Sequence, residues 1–175
     1  MGFFNSIAGG AGAHDPTIDW SSTSGLPTPA VRLSRREIGS LAFGAPLADA
    51  RCFGRPDGFR RVHHDYFELV YARAGFQLDF EAERLAYAAF FVGPDASAPG
   101  RNLRFCRPLE VDCGPLSGET TQDVLENLFG PPDAVGRDDA ETIVKFSKNG
   151  LVLEFELNRS GRLKRWNLFP ATPHR

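Results

Sequence analysis

The 175-residue sequence predicts an α+β protein of two tandem units, each a short helix packed on an antiparallel three- to four-stranded meander. Three observations lead there. The chain repeats itself. Each copy holds a short amphipathic stretch closed by Gly and Pro. Each copy then holds three candidate strands separated by turn residues, the middle one alternating.

The repeat is read directly. Phe53-Gly54-Arg55-Pro56-Asp57 matches Phe129-Gly130-Pro131-Pro132-Asp133, and an Arg follows each at the same distance, Arg61 and Arg137. Gly75-Phe76-Gln77-Leu78-Asp79-Phe80-Glu81 then matches Gly150-Leu151-Val152-Leu153-Glu154-Phe155-Glu156. Arg84-Leu85 answers Arg162-Leu163, and Phe91 answers Phe169. None of these segments is low in complexity, so shared composition does not account for the match. The units run over 31–95 and 101–170, with a linker at 96–100 and a tail at 171–175. Residues 1–30, rich in Gly, Ser, Thr and Pro, are expected to form a loosely draped arm.

In the second copy Thr120 is the expected N-cap of a helix ending at Phe129, with Val124, Leu125, Leu128 and Phe129 on one stripe. Gly130 and two prolines stop it. Leu47 to Phe53 is the shorter counterpart, stopped by Gly54 and Pro56. Strands are expected at 142–147, 151–158 and 162–169, separated by Lys148-Asn149-Gly150 and Arg159-Ser160-Gly161. The first copy gives 65–72, 76–82 and 85–92. Both middle strands alternate. Phe76, Leu78, Phe80 and Ala82, like Leu151, Leu153, Phe155 and Leu157, are expected to face inward, with Phe80 and Phe155 as equivalent core residues. Gln77, Asp79 and Glu81, like Val152, Glu154 and Glu156, face a partly wet side.

A helix ending in Gly-x-Pro, then strands, a Gly turn and an L-x-F-E strand resembles the β-lactamase inhibitory protein (BLIP) fold. It is also similar to the BamE (SmpA/OmlA)-type domains of outer-membrane lipoproteins. The resemblance implies two tandem helix-plus-meander copies and an inhibitor, immunity or assembly-factor role. The sequence departs from these families in lacking an export signal and paired cysteines, since Cys52 belongs to one copy and Cys106 and Cys113 to the other. A cytoplasmic location is the resulting expectation.

Composition narrows the function. A net charge of −2 argues against a nucleic-acid footprint, and no apolar run reaches the length of a membrane helix. Three cysteines form neither a disulfide framework nor a zinc knuckle. His63-His64-Asp65 is the only dense run of ligand types, but adjacent strand residues point to opposite faces and cannot share an ion. Met1–Ser6 matches the acylation pattern with Gly2 as acceptor, a short pattern that recurs by chance. Walker, G-x-S-x-G and H-E-x-x-H motifs are absent.

The carboxylates Asp79 with Glu81, and Glu154 with Glu156, stand at i,i+2, about 6.5–7 Å apart by strand rise. Acid–base pairs need opposed environments to split their pKa values, and two neighbours on one wet face lack them. The sequence therefore predicts a non-enzymatic, cofactor-free protein-binding module. Its partner surface comprises Asp79, Glu81, Glu154, Glu156 and Lys164, with Trp166 as aromatic anchor. Neither the partner's identity nor the oligomeric state is specified. A small-ligand carrier or sensor with a cleft between repeats is the first alternative, and an enzyme of unrecognised chemistry the second.

Overall fold

A computed structural model describes residues 15–22, 25–93 and 108–171. The acylation pattern at Met1–Ser6, the linker 96–100, His14, Cys106 and His174 lie outside the described residues. Eleven strands are described: β1 (Val31–Arg32), β2 (Glu37–Ile38), β3 (Leu41–Ala42), β4 (Gly58–His63), β5 (Tyr66–Tyr71) and β6 (Phe76–Glu81). Then come β7 (Arg84–Phe91), β8 (Ala134–Arg137), β9 (Glu141–Lys148), β10 (Leu151–Asn158) and β11 (Leu163–Pro170). A 3₁₀ helix covers Leu47–Phe53 and helix α1 covers Gln122–Phe129.

The expected α+β class gives way to a mostly β protein, 45% strand against 11% helix. Strands β1–β3 form a small sheet, and the other eight join in one antiparallel sheet of order β4-β5-β6-β7-β11-β10-β9-β8. There are thus no two separate helix-on-meander units. The physical reason lies at the centre of the sheet. A meander of four strands leaves the main-chain groups of its last strand unpaired, and here the last strands of both meanders, β7 and β11, pair with each other. Helix is also scarce, because Leu47–Phe53 makes only 3₁₀ turns and α1 has eight residues.

The join is tight. The N–H groups of Val92 and Gly93 both donate to the Lys164 carbonyl, at 2.8 and 3.0 Å. A Cβ at Gly93 would stand 2.4 Å from the Leu163 carbonyl oxygen, so only glycine fits. Opposite residues across the join are Ala88 with Leu168, Ala89 with Asn167, Phe90 with Trp166 and Phe91 with Arg165.

Alternation sends one row of each strand to a shared core: Leu69, Phe76, Leu78, Phe80, Ala88, Phe90, Trp166, Leu168, Phe155, Leu153, Val144 and Phe146 are buried there. The small sheet, the 3₁₀ helix and α1 add Val31, Ile38, Leu41, Phe53, Leu125 and Phe129 to it. Trp20 and Thr17 are buried too, and the Thr28 hydroxyl donates to the Ala74 carbonyl at 2.6 Å. Residues 15–22 and 25–30 are therefore docked rather than loosely draped.

The six expected strands fall within one residue of their predicted bounds, but one equivalence shifts. Phe80 and Phe155 are both fully buried. In the ladder, however, Leu78 faces Ala88 where Phe155 faces Trp166, so Phe155 corresponds to Leu78 and Phe80 to Leu157. The cause is turn length. Four residues, 72–75, join β5 to β6, whereas Asn149 and Gly150 alone join β9 to β10, both at positive φ as a two-residue turn requires. The two extra residues slide the middle strand without turning its faces over.

Candidate functional site

The side of the large sheet away from the core carries a polar network, built by the residues between the apolar ones. On β4 and β5, Arg60 stands opposite Glu68 and binds it in bidentate fashion, at 2.7 and 2.6 Å. On β6, Asp79 lies opposite Glu68 on one side and Tyr87 on the other. Its carboxylate accepts hydrogen bonds from the Tyr66 hydroxyl and the Gln77 amide, both at 2.7 Å. The Tyr87 hydroxyl donates to Asn167 at 2.7 Å and accepts from the Arg165 guanidinium at 2.8 Å. Arg60, Tyr66, Glu68, Gln77, Asp79, Tyr87 and Arg165 line a shallow recess of about 330 Å³.

Asp79 is 4% exposed, which corrects the expectation of a wet carboxylate. Gln77, two residues earlier on the same face of β6, covers it along the strand, and Tyr66 closes over it from β5, a cross-strand contact that period-2 alternation does not encode. Burial raises the Asp79 pKa above the usual carboxylate range, opposed by its two hydrogen bonds and reinforced by the Glu68 charge. Burial also pushes the Tyr87 hydroxyl up to about 12 and the Tyr66 hydroxyl higher still, so both remain neutral donors.

The second group of expected site residues lies on the same side of the sheet. Glu154 pairs with Lys145 at 2.7 Å, and the Asn167 amide donates to Glu154 at 3.1 Å and to Glu156 at 2.8 Å. The Lys164 ammonium is held between Glu141 and Glu156, which it approaches to 3.6 Å. At 9% exposure Lys164 is a buried member of this network rather than a free surface cation. Glu81 sits exposed at the end of β6.

Trp166 is corrected outright. It is fully buried, stacked on Phe155 at 5.3 Å between ring centroids and packed against Phe90 at 5.7 Å. Strand alternation explains this, because Arg165 and Asn167 point outward and Trp166 between them points inward. It is a core residue of the join, not a partner-binding anchor. His63 and His64 are exposed at the β4–β5 turn, and Cys52 and Cys113 are free and exposed.

Sequence reasoning missed Arg60, Tyr66, Glu68, Gln77, Tyr87 and Asn167. Two signals were available: Tyr87 is the one polar-tipped side chain in the apolar run 85–92, and Gln77 and Asn167 interrupt strands otherwise rich in Phe and Leu.

No family model matches the sequence, and the search of curated proteins finds no match. Among solved structures, the chain is similar to a DUF4309 family protein (YjgB) from Bacillus subtilis, with TM-score 0.52 and 14% identity. That match covers 76% of this chain and 84% of the other. A cysteine-rich secretory protein from Staphylococcus aureus matches with TM-score 0.47 and 9% identity, over 82% of this chain and 48% of that one. The first likeness is one of fold alone. Among the described residues, no helix is long and apolar enough to cross a membrane.

Proposed function

We propose that the chain is a non-catalytic protein-binding module, of inhibitor, immunity or assembly-factor type, whose partner docks on the outer side of the large sheet around the Asp79 recess. One observation carries this reading. Tyr, Arg and carboxylate side chains line one recess and are already fixed in place by hydrogen bonds in three adjacent groups, Arg60 with Glu68, Tyr66 and Gln77 with Asp79, and Arg165 and Asn167 with Tyr87. Tyr and Arg are the residue types that anchor interfaces, and side chains held before binding lose little entropy on association. The same bonding opposes catalysis, because each ionisable group of the recess is engaged by a neighbour and none is presented as a nucleophile beside a base.

We further read the two meanders as tandem copies of one strand repeat, without the helix-on-meander units that the resemblance to BLIP and BamE-type proteins implies. The motif offset of 78 residues from Phe91 to Phe169 puts Ala89 opposite its own counterpart Asn167, and Phe90 opposite the counterpart of Ala88. Two copies related by a two-fold axis at the join would pair in this way.

A small-ligand carrier is the second reading, favoured by the volume of the recess, which falls at the lower end of small-ligand pockets. Affinity capture from native lysate separates the two. Under the main reading a specific protein is retained by the wild type and lost with Arg60→Ala and with Tyr66→Ala, while both variants keep native near-UV circular dichroism. Equal retention by both variants refutes the proposed surface.

A further inference from the structure

Strand pairs β6–β7 and β10–β11 contain the same irregularity, one extra residue on the second strand. Ala86 lies between the pairs Phe80–Leu85 and Asp79–Tyr87, and Lys164 lies between Leu157–Leu163 and Glu156–Arg165. These bulges put Ala86 and Lys164 in corresponding places, and likewise Asp79 and Glu156. The correspondence extends one strand outward. Tyr66 pairs with Glu81, two residues past Asp79, and Glu141 pairs with Asn158, two residues past Glu156.

The chemistry at the two places differs. The Glu156 carboxylate is answered by cations of the chain itself, the Lys164 ammonium shared with Glu141 and the Arg165 guanidinium at 3.8 Å. Asp79 receives neutral donors, Tyr66 and Gln77, and no cation forms an ion pair with it among the described residues. Where Lys164 carries an ammonium, Ala86 carries a methyl group. The recess opens beside Asp79, with Glu68 and the Tyr66 and Tyr87 rings on its walls. Of its two guanidiniums, Arg60 is bound to Glu68, and Arg165 donates to Tyr87, lies 3.8 Å from Glu156 with its buried Nε unbonded, and acts on Asp79 only from beyond ion-pair distance. A buried carboxylate with only neutral donors gains most from a cation brought to it, and aromatic walls favour the same guest.

We propose that the recess is a binding site for a primary ammonium group, seated against Asp79 as the Lys164 ammonium is seated against Glu156. The group is supplied by a small alkylamine or by a lysine side chain of the partner, and the site deepens the binding-module reading on which it rests. The chain thus carries one filled example of the interaction and one open one.

The test uses n-butylammonium as probe, followed by two-dimensional amide NMR of the full chain, with butanol and butyrate as controls. Saturable shifts at Tyr66, Asp79 and Tyr87 are expected with the ammonium and with neither control. Asp79→Asn should weaken binding roughly tenfold or more, as loss of a buried charge partner does. Ala86→Lys should abolish it by supplying an internal ammonium, and it leaves every recess side chain in place. An absence of saturable shifts, equal binding by Asp79→Asn, or wild-type binding by a folded Ala86→Lys overturns the site. A capped Gly-Lys-Gly peptide then identifies the source. Tighter binding than n-butylammonium supports a partner lysine. Equal or weaker binding supports a free amine, and it refutes the protein-docking reading of this recess while leaving the ammonium site standing.

Discussion

Phe90 on β7 and Trp166 on β11 face each other across the join of the two meanders, with ring centroids 5.7 Å apart. Trp166 also stacks on Phe155 of β10, which leads on to Phe129 and Phe146. The aromatic core is therefore continuous through the join, and the eight strands should unfold together.

Trp166→Ala should cost about 3–5 kcal/mol, the range for emptying a large aromatic site in a core. Phe90→Ala should cost a similar amount, and the double substitution less than the sum of the two, because the side chains touch. Chemical denaturation followed by two spectroscopic probes checks this. Two separate transitions would show that the meanders are independent units.

Phe80→Ala and Phe155→Ala should each lose about 3–5 kcal/mol in the same measurement. Both side chains are fully buried. A loss below about 1 kcal/mol for either would mean that its row does not face the core.

Lys164→Met should lower stability by about 1–2 kcal/mol, since it leaves Glu141 and Glu156 facing each other without their ammonium, and partial exposure of those carboxylates moderates the cost. Adding Glu156→Gln to Lys164→Met should recover part of the loss. Additive losses would show that the pair is not coupled.

Asp79 gives a pH dependence with a definite sign. Its folded-state pKa is raised, chiefly by burial, so the folded protein holds that proton more tightly than the unfolded chain does. The stability tied to the protonated form is full below the ordinary Asp pKa and is lost as pH rises through the raised value. Asp79→Asn should remove this part of the slope of unfolding free energy against pH above the usual carboxylate range. A variant whose curve runs parallel to that of the wild type would contradict the burial of the charge.

Strand positions were legible because hydrophobic alternation and turn residues are local signals. Leu151–Asn158 alternates without a break, and Asn149-Gly150 names its own turn type. The join of β7 to β11 was not legible, since it pairs residues 74 to 80 apart in sequence that share no local pattern, and it changed the fold class. Edge strands β4 and β8 were missed for a related reason: β8 is exposed along its length, so no buried row marks it. At the candidate site, Asp79 and Glu156 were visible as outward carboxylates. The burial of Asp79 and the ion pairing of Glu156 were not, because Tyr66 covers the one and Lys164 and Asn167 engage the other from neighbouring strands that only the folded chain brings near. Trp166 shows the opposite error, an aromatic following two cations, Lys164 and Arg165, that the pleat turns inward.

Whether the outer side of the sheet is the partner surface is tested most directly by amide hydrogen exchange on the protein alone and in complex with the partner captured from native lysate. The expected result is slowed exchange around Arg60, Tyr66, Asp79 and Tyr87, on β4 to β7, with little change in β1–β3 or the 3₁₀ helix. Slowed exchange confined to β1–β3 and the 3₁₀ helix, with β4 to β7 unchanged, would contradict it.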